Sequence, residues 1–370
     1  MMSREEKSAE LLRILWRNGP LTRRSMENLL HISRPTLDKL LKELSRYDLL
    51  IPWGKARERG GRPATLFRLN PRARLALGVD LELPGLYLVV ADLLGEVLHE
   101  REIHLSGDLS SPRETLRRIS HLLLDWLEEL GIPREKTIGV GVGMPAFFEG
   151  ETVTVKGENL PTWIRVPAKE ILTRELGIPV RIGHDVHLMA LAESKRAGLD
   201  EKIVLYLAFR SGVRGDVRMG ACLLVRGEIY RGAHGNGGTL HGAFVGPEGI
   251  RGKNVEEEAK TIVEKLSPHI VQAIALLDPE VVVINAEELG ELSGPVIHWV
   301  QEEISAVLRE EPIGPVEVRR ARVVEAPGAL GAAMAVIQEL FTYPEALIEE
   351  VRAGESRTFA GNQPLRKKEG

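Results

Sequence analysis

Two stretches of this chain carry side chains whose types and spacing suit chemistry. The first is Gly183-His184-Asp185-Val186-His187, a carboxylate between two histidines at the end of an apolar, strand-like run. Packing alone seldom selects that combination, so Asp185 is a candidate ligand contact. For His184, a satisfied structural histidine competes with a ligand contact. A glycine-rich loop farther on holds His234, Asn236 and His241. The second stretch is Ser33–Tyr47. Leu37, Leu40, Leu41 and Leu44 recur at i, i+3, i+4 and i+7, the stripe of an amphipathic helix. Off that stripe stand Arg34, Thr36 and Lys39, which suit phosphates and base edges better than an ordinary surface helix does.

The elements around Ser33–Tyr47 must position those three side chains. Ser3-Arg4-Glu5-Glu6 has capping-box spacing and predicts a helix through Leu11, Leu12, Leu15 and Trp16, ended by Asn18-Gly19-Pro20. Thr22 is placed to cap a short second helix containing Met26, Leu29 and Leu30. After His31-Ile32, Ser33 sits at an N-cap, its hydroxyl free to accept from first-turn amides. Leu49–Ile51 and Thr65–Leu69 are expected to pair as strands around WGKARERGGRPA, a hairpin wing carrying Lys55, Arg57, Arg59 and Arg62. Residues 1–70 therefore read as a winged helix-turn-helix. Arg34, Thr36 and Lys39 are expected at the major groove, with Thr22, Arg23, Arg57, Arg59 and Arg62 on phosphates and Ser33 also at the DNA. An ordinary helical packing domain is the bland alternative. The wing's positive charges argue against it.

Charge agrees with a polyanion partner for this head. The net charge of −4 divides into +9 over residues 1–74, with 17 Lys+Arg and 8 Asp+Glu, and −13 over the rest. Double-stranded DNA is the expected partner. A dimer is expected too, because a single helix-turn-helix reads too few base pairs. No apolar run is long enough for a membrane helix, and the start, MMSREEKSAE, has no signal-peptide character. The one cysteine, Cys222, excludes an internal disulfide and a multi-cysteine zinc site. A cytoplasmic location fits.

From Leu75 the texture is α/β. Three strands are expected between Ala76 and Leu105, a helix over 112–131 and a buried strand at Thr137–Gly143. A helix near 167–176, a strand at Pro179–Ile182 and a helix from Val186 follow. Strands at Ile203–Phe209 and Gly220–Val225, a long helix at 256–277, a strand at Glu280–Ile284, a helix near 294–309, a strand near 316–319 and a helix at Gly328–Leu340 complete the body. The charged tail, 343–370, is expected to be at least partly disordered.

A winged head, a Gly-Arg-Pro linker and Gly78-Val79-Asp80 opening an α/β body resemble the ROK family of sugar-responsive repressors and sugar kinases. The resemblance covers roughly residues 5–340 and rests on six segments in order. They are Gly141–Pro145, Glu158–Trp163, Leu176–His187, Gly227–Ala233, Asp278–Ile284 and Gly328–Ala333. It implies an actin-like ATPase architecture of two α/β lobes around a cleft, spanning 75–342. It also implies that Asp185 is the general base in a kinase, or accepts bonds from sugar hydroxyls in a repressor, and that Asn159 contacts sugar. His184 stands where the family has asparagine. Thr239 and His241 fall in the family's Glu-x-Gly-His segment, with the glutamate lost and the histidine shifted by one.

The departures are as informative. The family's first phosphate turn, Asp-x-Gly-x-Thr, reads Asp80-Leu81-Glu82-Leu83-Pro84, with a negative charge in place of the glycine and an amide donor lost to proline. The second turn has no unbroken match between Arg210 and Gly220, and Asn285-Ala286 replaces the Gly-Gly that meets adenosine. The zinc cluster is missing, and after His241 the chain passes almost directly into the long helix. No cofactor and no metal are expected. The leading expectation is a non-enzymatic DNA-binding regulator, a repressor whose body binds a sugar effector and dimerises. The alternatives are a sugar kinase with a DNA-binding head, and a regulator whose body only dimerises.

Overall fold

The computed structural model describes residues 3–56, 63–155, 163–212, 214–240, 242–250, 254–310, 315–345 and 347–348. The head is built from α1 (Arg4–Asn18), β1 (Leu21–Thr22), α2 (Arg23–Leu30), α3 (Arg34–Arg46), β2 (Leu50–Ala56) and β3 (Ala64–Leu69). Its sheet has the order β1-β3-β2, all antiparallel, which makes the β2–β3 hairpin a wing beside α3. The caps explain the helix starts. Ser3 Oγ accepts from the Glu6 amide while the Glu6 carboxylate accepts from the Ser3 amide, a complete capping box. Thr22 Oγ1 likewise accepts from the Ser25 amide at 3.2 Å. Ser33 is an N-cap by backbone only. Its hydroxyl bonds Thr36 Oγ1 at 3.0 Å instead of a first-turn amide, and Pro35 already removes one orphan donor.

The first lobe holds β4 (Leu75–Glu82), β5 (Gly85–Asp92), β6 (Val97–His104), α4 (Pro112–Glu129), β7 (Thr137–Met144), β8 (Ala146–Glu149), β9 (Thr152–Val155), α5 (Ala168–Leu176) and β10 (Val180–His184). Its five-stranded sheet runs β10-β7-β4-β5-β6, and α4 and α5 cover one face through Leu123, Trp126 and Leu172. The β8–β9 hairpin is an addition that the strand pattern of the sequence did not suggest. Next, α6 (Asp185–Ala197) leads to the second lobe: β11 (Ile203–Ser211), β12 (Val217–Val225), β13 (Glu228–Ile229), β14 (Phe244–Val245), α7 (Val255–Leu277), β15 (Val281–Asn285), α8 (Ser293–Glu310) and β16 (Glu317–Arg320). That sheet has the order β13-β12-β11-β15-β16, with β14 added to β12. Its core packs Leu207 and Phe209 against Ile262, Leu266 and Val300.

The closing helix, α9 (Pro327–Thr342), lies on the first lobe's other face. A side chain at Gly78 or Gly141 would collide with the carbonyls of Ala329 or Ala332, and one at Gly331 with the carbonyl of Leu188 on α6. Glycine there lets a helix ride directly on sheet and helix backbone, so α9 and α6 form one packed unit.

The head is not a tethered bead. Its apolar core is continuous with α9, and residues 71–73 form a single 3-10 turn before β4. Trp16 of α1 stacks on Phe341 of α9 with centroids 4.9 Å apart, while Arg13 donates to the carbonyls of Phe341 and Thr342. The tail from Tyr343, expected to be at least partly disordered, is packed at its start. Leu347 and Ile348 are buried in the same cluster, since two adjacent aliphatics suffice to anchor a turn there. The tail beyond Ile348 lies outside the described residues. Among the described residues, no helix is long and apolar enough to cross a membrane.

Candidate functional sites

On α3, burial of Leu37, Leu40, Leu41 and Leu44 turns the opposite face to solvent. Ser33, Arg34 and Lys39 are exposed and Thr36 is half-buried. Lys42 and Arg46 are also exposed, and with Lys39 they follow the i, i+3, i+7 spacing of one helix face. Neither was singled out from the sequence, although that spacing is visible there. Two flanking residues are partly committed within the head. Thr22 is buried, its hydroxyl capping α2, so its backbone at the helix start is what remains for a phosphate. Arg23 lies over the Phe67 ring and donates to Asp38 at 3.1 Å. Lys55 is exposed on the wing, where Arg68 stacks on Trp53. Arg57, Arg59 and Arg62 lie outside the described residues.

In the body, the β10–α6 junction puts His184 and Asp185 at the start of a helix, and Asp185 is almost fully buried. The Asp185 carboxylate is heavily engaged. Oδ1 accepts from the Val186 amide at 2.8 Å and lies 2.7 Å from His184 Nδ1, at ion-pair distance but without hydrogen-bond alignment. Oδ2 takes the Arg210 guanidinium. Burial pushes this carboxyl up, but Arg210, His184 and the Val186 amide outweigh that and hold it well below the usual carboxylate range.

Arg210, at the end of β11, also donates to Glu82 of β4 at 2.7 Å and lies 3.0 Å from Glu288 after β15. One guanidinium thus ties both lobes and α6 together across the cleft. Nothing in the sequence pattern pointed to it, because its three partners are 25, 78 and 128 residues away. His187 entered the sequence pattern only as a flank of Asp185, with no contact of its own assigned. Its Nε2 pairs with the Gly237 carbonyl at 2.6 Å, bringing the glycine-rich loop to the histidine pair, whose rings are 4.9 Å apart. Burial first, then the neighbouring His184, lowers His187 to about 4, so it is neutral and donates to Gly237. Thr239 is exposed and its hydroxyl donates to the Asn236 carbonyl, while Asn236 bonds both backbone groups of Phe148. Asn159 and His241 lie outside the described residues.

The three positions that the family resemblance gives to nucleotide line one cavity of about 400 Å³, with Asp80, Glu82, Arg210 and Asn285 on its wall. Glu82 projects its carboxylate to Arg210. The β11–β12 turn is closed by Gly212 and Asp216, whose buried carboxylate lies against the Gly212 Cα, where even a Cβ would collide with it. Asp80 is buried, and its Oδ1 has no hydrogen-bond partner among the described residues. Burial pushes its carboxyl up to about 7 against the pull of Arg210. Among the described residues, no group of His, Cys, Asp and Glu has the arrangement of a metal site.

The sequence model of the ROK family matches residues 76–254. A xylose repressor of Caldicellulosiruptor bescii is 26% identical over 236 residues, covering 62% of this chain and 56% of that protein. The chain thus matches little more than half the length of that relative. Among solved structures, a ROK family transcriptional regulator described as a homolog of E. coli MLC protein superposes with a TM-score of 0.69 at 16% identity. That alignment covers 94% of this chain and 98% of the other. A ROK hexokinase from Thermus thermophilus gives 0.57 at 19% identity, over 72% of this chain and 99% of its own. At these identities the two superpositions speak for the fold alone. It is the two-lobed α/β architecture, with the head included in the first case.

Proposed function

The chain carries a ROK family domain, and from that premise we propose a DNA-binding transcriptional regulator that acts as a repressor and whose body senses a sugar. The observation that carries this reading is the solvent-facing row of α3, with Arg34, Lys39, Lys42 and Arg46 beside a wing, in a segment (residues 1–74) of charge +9. In this reading Arg34, Thr36 and Lys39 reach base edges, while Lys42, Arg46 and the wing hold phosphates. Two copies supply paired half-sites.

The body acts as a sensor in this proposal and not as a kinase. A general base must accept a proton near neutral pH, and Asp185 is instead held ionised by Arg210 and walled in. Glu82 and Asp216 place carboxylates where a nucleotide would bring phosphates, and like charges there oppose its binding. The effector is a sugar, with xylose the first choice because relatives are named for it. His187 Nδ1 is buried without a hydrogen-bond partner among the described residues, and that acceptor suits a polyol hydroxyl. A hydroxyl competing for Asp185 weakens its hold on Arg210 and so loosens the lobes. The shift reaches the head through α6, α9 and the Trp16–Phe341 stack. It changes DNA affinity only as far as the sugar prefers one lobe arrangement over the other.

The test is fluorescence anisotropy with labelled DNA from upstream of the chain's own gene, with and without xylose, glucose and other sugars. Saturable binding that one sugar weakens at least fivefold supports the proposal. Steady sugar phosphorylation from labelled ATP, abolished by Asp185→Asn, overturns the sensor reading. DNA binding untouched by every sugar favours a body that only dimerises.

A further inference from the structure

The cleft cavity is built for charge of the opposite sign to a nucleotide. Seven carboxylates line it against two arginines, and both arginines are already held. Arg210 serves Asp185, Glu82 and Glu288, while Arg101 reaches away to Glu129 at 2.6 Å. A ring of acids alone proves nothing, because acids on a surface are solvated. The floor of this cavity is different. Asp80 is only 4% exposed, lines the cavity, and leaves Oδ1 with no hydrogen-bond partner among the described residues. Orphaned buried carboxylate oxygens are costly, and they call for a donor from outside the chain. The walls between floor and rim are apolar or aromatic, with Tyr87, Met189 and Pro327. A volume of about 400 Å³ falls within the range of small-molecule sites.

We propose that this cleft binds a small organic ammonium ion, a primary amine on an aliphatic or sugar-sized frame, with its charged head on Asp80. The ammonium offers three donors and a positive charge, which answers the orphaned oxygen and the acidic rim together. Tyr87 presents a ring for cation–π contact, and Met189 and Pro327 cover the carbon frame. A bare divalent ion suits the site less well, since no cluster of described carboxylates has ligating spacing. The amine site shares Arg210 with the His184–Asp185 junction, because Arg210 pairs with Asp185 and also lines the cavity. It therefore adds a second input to the same inter-lobe tie, independent of whether the sensed sugar is xylose.

The experiment is isothermal titration calorimetry on the full chain without DNA at pH 7.5, using putrescine, spermidine and glucosamine, with glucose and ATP as controls. Expected is saturable one-to-one binding of at least one amine, no heat from ATP, and a tenfold or greater loss of amine affinity in Asp80→Asn. Glu102→Gln, on the rim, is expected to weaken binding about threefold by removing one long-range attraction. Thermal unfolding of both variants checks that they are folded. The proposal is overturned if no amine gives saturable one-to-one binding, if Asp80→Asn binds as tightly as the parent, or if ATP binds in the amines' place. DNA binding is not read here, so failure of this site and failure of the regulator assignment remain distinguishable.

Discussion

Replacing Arg210 with methionine keeps most of the side chain's volume and removes its charge together with the donors that reach three carboxylates. Three carboxylates then lose their common partner, but they do not lose equally. The side chains of Glu82 and Glu288 are 39% and 35% exposed and can be rehydrated, whereas that of Asp185 is 4% exposed and cannot. The cost is therefore that of one uncompensated buried charge, about 3–5 kcal/mol, or roughly 150- to 5000-fold in the unfolding equilibrium. The pH dependence has a definite sign. Asp185 is depressed in the parent, so its contribution is present above the unfolded carboxyl value and is lost as pH falls through the lower folded value. In Arg210→Met burial acts unopposed by the guanidinium, so the deficit grows as pH rises from 4 toward 8 and vanishes only below the depressed folded value of the parent. Urea unfolding read by the fluorescence of buried Trp126 and Trp163 in the first lobe measures it at both ends. The double variant Arg210→Met/Asp185→Asn should recover much of the loss. A single variant within about 0.5 kcal/mol of the parent at pH 8 would refute the claim that Arg210 is the tie between the lobes.

Other perturbations probe other links. Asp80 is raised in the folded state, so it stabilises the fold most below its unfolded value of 3.8, and that contribution is lost as pH rises through about 7. Asp80→Asn should thus be more stable than the parent at pH 8, by about 4 kcal/mol at most, and indistinguishable from it near pH 4; parallel pH-dependent melts decide. Trp16→Ala removes the stacking partner of Phe341 and should cost about 2–3 kcal/mol, less than a fully buried tryptophan. If the α1–α9 packing carries the signal, the same variant should keep DNA affinity yet lose its response to sugar. An unchanged sugar response in the anisotropy assay would remove that packing from the pathway.

Much of this architecture was legible because its elements announce themselves locally. The capping residues, the period-3.6 stripes of α1 and α3 and the strand runs of the body all lie within a few residues of their own cause. Ser33 shows the limit of such reasoning. The residue is correctly placed at an N-cap, yet its hydroxyl prefers Thr36, a side-chain choice that position alone does not decide. The β8–β9 hairpin escaped because its strands are only four residues long, and the adjacent Phe147 and Phe148 break the alternation that marks a half-buried strand. The site was harder still. Asp185 and His184 could be singled out by composition, but the residue that governs them, Arg210, meets them only through the crossing of two sheets and a helix. Likewise Leu347 and Ile348 looked like part of a charged tail, and only α9 and the head supply the surface that buries them.

Regulation by this chain depends first on whether the exposed face of α3 reads DNA. The direct measurement is the affinity of the full chain for the DNA upstream of its own gene, as a function of salt, for the parent and for Arg34→Ala/Lys39→Ala. The parent should bind with a steep fall of log K against log salt. The double variant should lose at least tenfold in affinity and much of its discrimination against unrelated DNA. Unchanged affinity and discrimination would contradict the assignment of α3 as the recognition helix.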